Sequence, residues 1–349
     1  MPGVLTWVLA LVALLILLVA HVAFWSWIYR VRPQQDELRY AKTKDGWEIA
    51  LARRSPRGAP RTPPVLLCHG LAANRGNVDF GIDRYSLSLH LAQSGFDCYA
   101  LELRGHGASR RARKDAPRRW SFDTYLLEDI PAAIEAIGAK QVLWVGHSQG
   151  ALLGLAAAVA YPDRIAGVVA MGPPTHFHAQ NELRRLLRFS FLATGRHRWL
   201  VRAISPIAGL FHPAFGQFAL NTRNVDRLLY RQLMCNVVED ISPGVLAQFL
   251  KWARTDVFVS DDGKVDYRGG LASAKQPALF IAGERDLLAP PASVRPGFEL
   301  WGGEKEFIEA NGYGHSDLIF GRHAPEEIFP LVSDWLLKRS SPMKAPAPT

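Results

Sequence analysis

The run Gln141-Val142-Leu143-Trp144-Val145-Gly146-His147-Ser148-Gln149-Gly150 is the place to begin with this 349-residue chain. Val142 to Val145 have the composition of a buried strand, and the small-residue run Ala151 to Ala160 that follows Gly150 has the composition of a packed helix. Ser148 therefore falls at a strand-to-helix turn, between Gly146 and Gly150. At so sharp a turn a Cβ on either flank would collide with the neighbouring strand or helix, so both flanks are glycine. The geometry exposes the Ser148 hydroxyl over the N-terminus of the next helix. Unpaired N–H groups there favour negative charge, including that of an acyl-transfer oxyanion.

Working outward, the same alternation of short apolar strand and helix repeats on both sides. Leu38 to Arg53 reads as a hairpin turning at Lys44-Asp45-Gly46, and Ser55 to Pro64 as a loop. Pro64 to Cys68 is a central-strand run ending in His69-Gly70-Leu71-Ala72. Leu87 to Ser94 is helical, and Phe96 to Leu103 is a strand closing in Arg104-Gly105-His106-Gly107, whose charged residues read as braces for the loop. Phe122 to Ile137 is helical and leads into the run at Gln141. After the elbow helix come strands at Ile165 to Met171, Pro277 to Ala282 and Lys305 to Ile308, then a helix from Pro325 to Leu337. Strands that alternate with helices form a mostly parallel sheet with helices on both faces, so the fold class is α/β.

Three strand ends carry chemistry. A backbone N–H in the loop after Cys68, that of Leu71 or Ala72, is placed to act with the Gln149 N–H as an oxyanion donor. Gly283-Glu284-Arg285-Asp286-Leu287-Leu288-Ala289-Pro290 puts a carboxylate just past a late strand. Asp286 is preferred to Glu284, which lies nearer the strand end and can bind solvent or Arg285. His315, in Gly312-Tyr313-Gly314-His315-Ser316-Asp317, follows the last strand on a glycine-relieved loop. Ser148, Asp286 and His315 thus occur in the chain order of a serine, acid and histidine triad.

The N-terminus is of another kind. Val4 to Ile28 is interrupted only by Thr6, His21 and Ser26 among its polar residues, and is long enough to span a bilayer. A cleaved signal peptide is the competing reading. It fits less well, because the apolar run is longer than an h-region, no basic residue precedes it, and no small-x-small site follows. Trp25, Trp27 and Tyr29 form an aromatic belt at its end. Arg30, Arg32, Arg39, Lys42 and Lys44 follow, and by the positive-inside tendency this flank, with the rest of the chain, belongs on the cytoplasmic side. The same basic flank suits anionic lipid headgroups.

A formal charge of +9 raises nucleic acid as a partner, but no helix-turn-helix, zinc-finger or RNA-binding signature supports it. Cys68, Cys98 and Cys235 are odd in number and set among apolar residues, which suggests neither disulfides nor zinc and reads as buried thiols. His176 and His178 lack a Cys or carboxylate to complete a metal set. Residues 175–272 turn to helical stretches broken at Ser205-Pro206, His212-Pro213 and Ser242-Pro243-Gly244, as a cap over the site would. Within it, Arg184, Arg185, Arg188, Arg196, Arg198 and Arg202 alternate with Leu186, Leu187, Phe189, Phe191, Leu192, Trp199 and Leu200. That mixture suits either an amphipathic helix packed on the core or a basic, apolar lid facing lipid.

With these motifs in order, residues 36 to 340 resemble the α/β-hydrolase superfamily. The His69-Gly70-Leu71 opening, the long cap and the His315-Ser316-Asp317 ending are similar to the acid-lipase group and to poly(hydroxyalkanoate) synthase-like proteins. Those synthases use cysteine at the elbow, and epoxide hydrolases and haloalkane dehalogenases use aspartate. Ser148 argues against all three. The resemblance implies a serine hydrolase of the esterase or lipase type acting on a lipid-like acyl ester, with Ser148 as nucleophile, His315 as base, Asp286 orienting it, and no metal or organic cofactor. A thioesterase or acyltransferase using the same acyl-serine is the alternative chemistry. A silent hydrolase-fold protein that binds lipid or a partner is the alternative class. The expected organisation is an anchor at 4–28, a core at 36–174 and 273–340, a helical cap at 175–272 and a disordered tail at 341–349. The number of copies in the assembly is open.

Overall fold

The computed structural model describes residues 3–177, 197–208 and 220–343. Helix α1 spans Val4–Ile28 and stands clear of the rest over most of its length, with Val22 its one buried residue. The hairpin follows as β1 (Glu37–Lys42) and β2 (Trp47–Arg54), antiparallel as expected. Next come β3 (Arg61–Cys68), α2 (Leu87–Gln93), β4 (Phe96–Glu102), α3 (Ile130–Ile137), β5 (Val142–His147), α4 (Gln149–Ala160) and β6 (Ile165–Met171). Between β6 and β7 (Ala278–Gly283) the described chain is helical, with α5 (His197–Ile204), α6 (Arg227–Asn236) and α7 (Pro243–Thr255). The chain closes with α8 (Pro291–Leu300), β8 (Lys305–Ala310) and α9 (Phe329–Leu337).

The strands lie in the order β1-β2-β4-β3-β5-β6-β7-β8. The three strands at one edge are joined antiparallel, and every pairing from β4 to β8 is parallel. Residues alternate faces along a strand, so a sheet covered on both sides needs apolar residues at every position. β5 is such a strand: Val142 and Trp144 join the core on one face, Leu143 and Val145 that on the other. α4 approaches this sheet closely because it is built from small residues. A Cβ at Gly154 would stand 2.3 Å from the Trp144 indole, whose N–H donates to Gly150 O at 2.9 Å.

Three elements differ from their sequence reading. The helix expected over Phe122 to Ile137 is interrupted by a π-turn at Tyr125–Asp129, where Pro131 has no N–H to continue the α ladder. The C-terminal helix divides into Ala324–Glu327 and α9, with the break at Ile328 just before Pro330. Of the tail expected to be disordered, 341–349, Ser341 and Pro342 pair antiparallel with Thr62 and Arg61 and Met343 N–H donates to Pro60 O, while 344–349 lie outside the described residues. Backbone donors beside an open strand end take an available acceptor whatever their side chains, so composition did not reveal it. β3 begins at Arg61, earlier than its apolar run, where this pairing lies.

Candidate active site

All the chemistry-bearing loops open at the C-terminal ends of the parallel strands. Ser148 follows β5 with φ 55° and ψ −117°. It is one of three non-glycine residues at positive φ among the described residues, with Ala72 and Asp256, and Ala72 lies on the loop after β3. A side chain in that region is strained, so this backbone is imposed by its surroundings. A Cβ at Gly146 would stand 2.2 Å from Gly150 O, and one at Gly150 2.3 Å from Cys68 O. Gly70 approaches within 3.2 Å of Ser148 Cβ by the same construction. The loop after β3 is thereby packed directly on the elbow. Gln149 begins α4, where the first amides have no partner within the helix.

Asp286 follows β7 and is buried. Its Oδ1 accepts the Leu288 and Ala289 N–H groups at 2.8 and 2.7 Å, which fixes the carboxylate and leaves Oδ2 for the His315 Nδ1–H at 2.7 Å. That bond defines the tautomer and leaves Nε2 as the acceptor of the ring. Glu284 does something else. It accepts the Gly312 N–H at 2.8 Å and stands 3.9 Å from Arg285, bracing the histidine loop from an exposed position. Gly172, after β6, has φ 60°, and a Cβ there would come within 3.2 Å of the His315 ring. The Gly172-Pro173-Pro174 stretch thus makes room for a ring as well as ending a strand.

Neighbouring side chains hold these loops in register. Asn77, 3 % exposed, accepts at Oδ1 from the Gly70 N–H at 2.9 Å and lies 3.0 Å from His147 Nδ1. His147 Nε2 lies 3.1 Å from the His315 carbonyl oxygen, with the two rings 4.7 Å apart. One side chain and one ring therefore connect the β3 loop, the elbow and the histidine loop. Burial, and then the adjacent His315 ring, hold the His147 pKa down at about 3. A neutral ring carries one N–H, so His147 donates to one of its two oxygen neighbours at a time. Asp317, fully buried, accepts from Gly314 N–H at 2.8 Å, from Asn224 Nδ2 at 2.9 Å and from Asn221 N–H at 3.2 Å. Burial pushes its pKa up against those three donors.

His69 turns into the core. Its Nδ1–H donates to Gly70 O at 2.9 Å and its Nε2 accepts the Leu103 N–H at 3.2 Å, while burial holds its pKa at about 3. Arg104 braces its loop as expected, bonding Asp129 at 2.7 Å and Asp45 at 2.5 Å. His176 N–H donates to Ser293 O, and His178 lies outside the described residues. Among the described residues no cluster of three or more His, Cys, Asp or Glu side chains is placed to hold a metal. The three cysteines are buried free thiols. Of the Arg-rich stretch in the cap, only 197 onward is described. There Trp199 and Leu200 are exposed, and residues 184–196 lie outside the description.

Fold and strand-end geometry together define an α/β-hydrolase-type fold with a serine at its sharp strand-to-helix turn, and comparison with known proteins agrees on the fold. The model of the alpha/beta hydrolase fold family matches residues 63–203. The chain is 31% identical to human lipase member K over 346 residues, covering 82% of this chain and 84% of that protein. It is 32% identical to human gastric triacylglycerol lipase over 341 residues, with 82% and 84% covered. Among solved structures, the monoacylglycerol lipase of Paleococcus ferrophilus is similar with a TM-score of 0.57 and 23% identity, over 83% of this chain and 99% of that one. The chain belongs to the α/β-hydrolase superfamily.

Proposed function

We propose that this protein is a membrane-anchored serine hydrolase that cleaves carboxylic esters of apolar character. The observation that carries this reading is the strand-end serine at φ 55°, next in the chain to His147, whose ring centroid lies 4.7 Å from that of His315, itself fixed through Nδ1–H at 2.7 Å on buried Asp286. In this reading Ser148 Oγ attacks the ester carbonyl while His315 Nε2 takes its proton. Asp286 keeps the ring in the needed tautomer and stabilises the imidazolium, and the Leu71 and Gln149 amides receive the oxyanion. Collapse of the tetrahedral intermediate expels the alcohol with the proton from Nε2. Water, deprotonated by the same nitrogen, then releases the acid and restores Ser148. The similarity to lipases over more than four-fifths of the chain supports an acyl ester of lipid character.

α1 anchors the chain in this reading, with the catalytic domain on the cytoplasmic side. Its 25 residues have a mean hydropathy of 2.8 over the most apolar window and extend about 37 Å, enough for the roughly 30 Å hydrocarbon core. The basic flank supports the orientation. A reporter at either end of α1 checks it by protease protection: in inside-out vesicles, whose cytoplasmic face is outward, protection of an N-terminal reporter with digestion of a C-terminal one is expected, and the reverse pattern would reverse the topology.

The test of the chemistry uses the full chain in detergent with p-nitrophenyl esters of graded chain length. Wild type is expected to turn over and to be labelled at Ser148 by a fluorophosphonate. Ser148→Ala is expected to lose on the order of 10⁴–10⁶-fold in kcat. A folded wild type with neither turnover nor labelling, or a Ser148→Ala variant that stays active, would overturn the reading. Products formed with an added alcohol separate hydrolysis from acyl transfer.

A further inference from the structure

α1 does not merely end where the folded domain begins. About two turns before its end it is docked on α5, with the His21 Nε2–H donating to Ala203 O at 2.9 Å. The chain leaving it is gripped by one side chain of α6. Asn236 Nδ2 donates to Tyr29 O at 2.8 Å, and Asn236 Oδ1 accepts the Val31 N–H at 3.0 Å. Both ends of that amide are thus used on the two backbone groups that bracket the helix exit.

The same residue reaches the other way through its backbone. Asn236 O accepts from Asn74 Nδ2 at 2.8 Å, and Asn74 N–H donates to Val237 O at 3.0 Å. Asn74 stands on the loop after β3. The segment after α6 also forms a bridge to that loop, Ala73 opposite Val238, with Glu239 N–H donating to Ala72 O at 2.9 Å. From Asn74 the path is short: its carbonyl accepts the Asn77 N–H at 3.0 Å, and Asn77 Oδ1 takes the Gly70 N–H and faces His147. A surface pocket of about 270 Å³, lined by Val31, Asn74, Arg75, Gly76, Glu102 and Asn236, opens beside this junction. The exit also packs where Val31 and Arg32 lie against Gly81, and Arg75 Nη2 donates to Gln35 Oε1 at 2.7 Å, so among the described residues Asn236 is the one tie that joins the helix exit, α6 and the start of the loop.

We infer that Asn236 is a positioning residue that ties the exit of the apolar helix to the oxyanion loop, so that a docked α1 is part of the apparatus that stabilises the transition state. This rests on the reading of Ser148 as nucleophile and of the Leu71 amide as oxyanion donor. Displacement of a catalytic donor by a fraction of an ångström weakens an interaction made chiefly in the transition state, so kcat falls while KM is little changed. A chain whose helix exit has lost the Asn236 grip has the same triad and a poorer oxyanion hole.

The experiment compares full-length variants in detergent micelles on a short-chain p-nitrophenyl ester, with fluorophosphonate labelling of Ser148 as a second rate. Asn236→Ala removes the grip on Tyr29 and Val31. Asn74→Asp removes the side-chain bonds to Asn236 O and to Glu239 Oε1 while keeping the acceptor for the Gly76 N–H, so it tests the same link if Asn236→Ala does not fold, with Glu239→Gln in the same chain removing the carboxylate that would face it. Each is expected to lower kcat and the labelling rate about tenfold with KM within about twofold, and the two combined are expected to lose no more than the worse of them alone. His21→Ala, which loosens α1 from α5 outside this path, is expected to keep kcat within about twofold of wild type. Folded variants with wild-type kcat, fully additive losses, or an equal loss in His21→Ala would overturn the inference. An inactive wild type would instead overturn the serine-hydrolase reading beneath it.

Discussion

At Asp286 the two carboxylate oxygens have different work. Oδ1 is held by the Leu288 and Ala289 amides and Oδ2 by His315. In Asp286→Asn the amide oxygen would keep the two backbone donors, turning its NH₂ toward His315 Nδ1 and forcing the proton onto Nε2. The wrong tautomer is expected to cost on the order of 10⁴-fold in kcat with little change in melting temperature. Gly172 is sensitive for a steric reason. A methyl there would need φ 60° and would stand 3.2 Å from the ring atoms of His315. Gly172→Ala is expected to lower kcat about tenfold or more while costing about 1–2 kcal/mol of stability, read by steady-state kinetics beside thermal melts. The elbow and the order of Ser148, Asp286 and His315 were legible because each belongs to a short motif with its own strand before it. Asn77 was not. Nothing in Asn74-Arg75-Gly76-Asn77 distinguishes one asparagine from the other until the fold brings Gly70 and His147 to the second.

Among the elements, the parallel strands were readable because both faces of the sheet are covered, so each strand is a continuous apolar run between turns. The helices were less so. The π-turn at Tyr125–Asp129 has the same apolar spacing as an α-helix to within a residue, and the tail strand at Ser341 and Pro342 carries no apolar signal. The helical character of the described residues between β6 and β7 was legible, but their attachment to the core was not. Asp317 makes one such attachment, joining the histidine loop at Gly314 to Asn221 and Asn224. Asp317→Ala leaves three donors without that acceptor and is expected to destabilise by about 2–4 kcal/mol. Proteolysis should become faster within residues 220–226 as the tie is lost, and an unchanged cleavage rate with an unchanged melting point would show that the carboxylate is dispensable.

For the molecule as a whole, buried imidazoles set a dependence on acidity. His69 and His147 are held at about 3 by burial, and His106 is lowered for the same reason, against an ordinary value near 6.5. At these rings the unfolded chain binds protons that the folded chain refuses, so their contribution to stability falls as pH drops below about 6.5, while buried carboxyls held above their ordinary values, Asp317 and Asp129 among them, contribute in the opposite sense. For a ring held at about 3, the loss from pH 7 to pH 5 is about 2 kcal/mol. His69→Gln is expected to be less stable than wild type at pH 7 yet to lose about 2 kcal/mol less on that acid step, measured by chemical denaturation at both pH values. Equal losses would assign the slope to other groups.

The nearly bare flank of α1 has one more consequence. On the proposed reading, with α1 seated in a bilayer, the catalytic domain stays at a fixed height over the lipid and meets an ester substrate in two dimensions. The quantity that governs its rate is then the mole fraction of ester in that sheet and not the millimolar amount in the tube. Thinning the ester with inert phospholipid is expected to slow a reconstituted enzyme, while adding more vesicles of unchanged composition is expected to leave its turnover where it was.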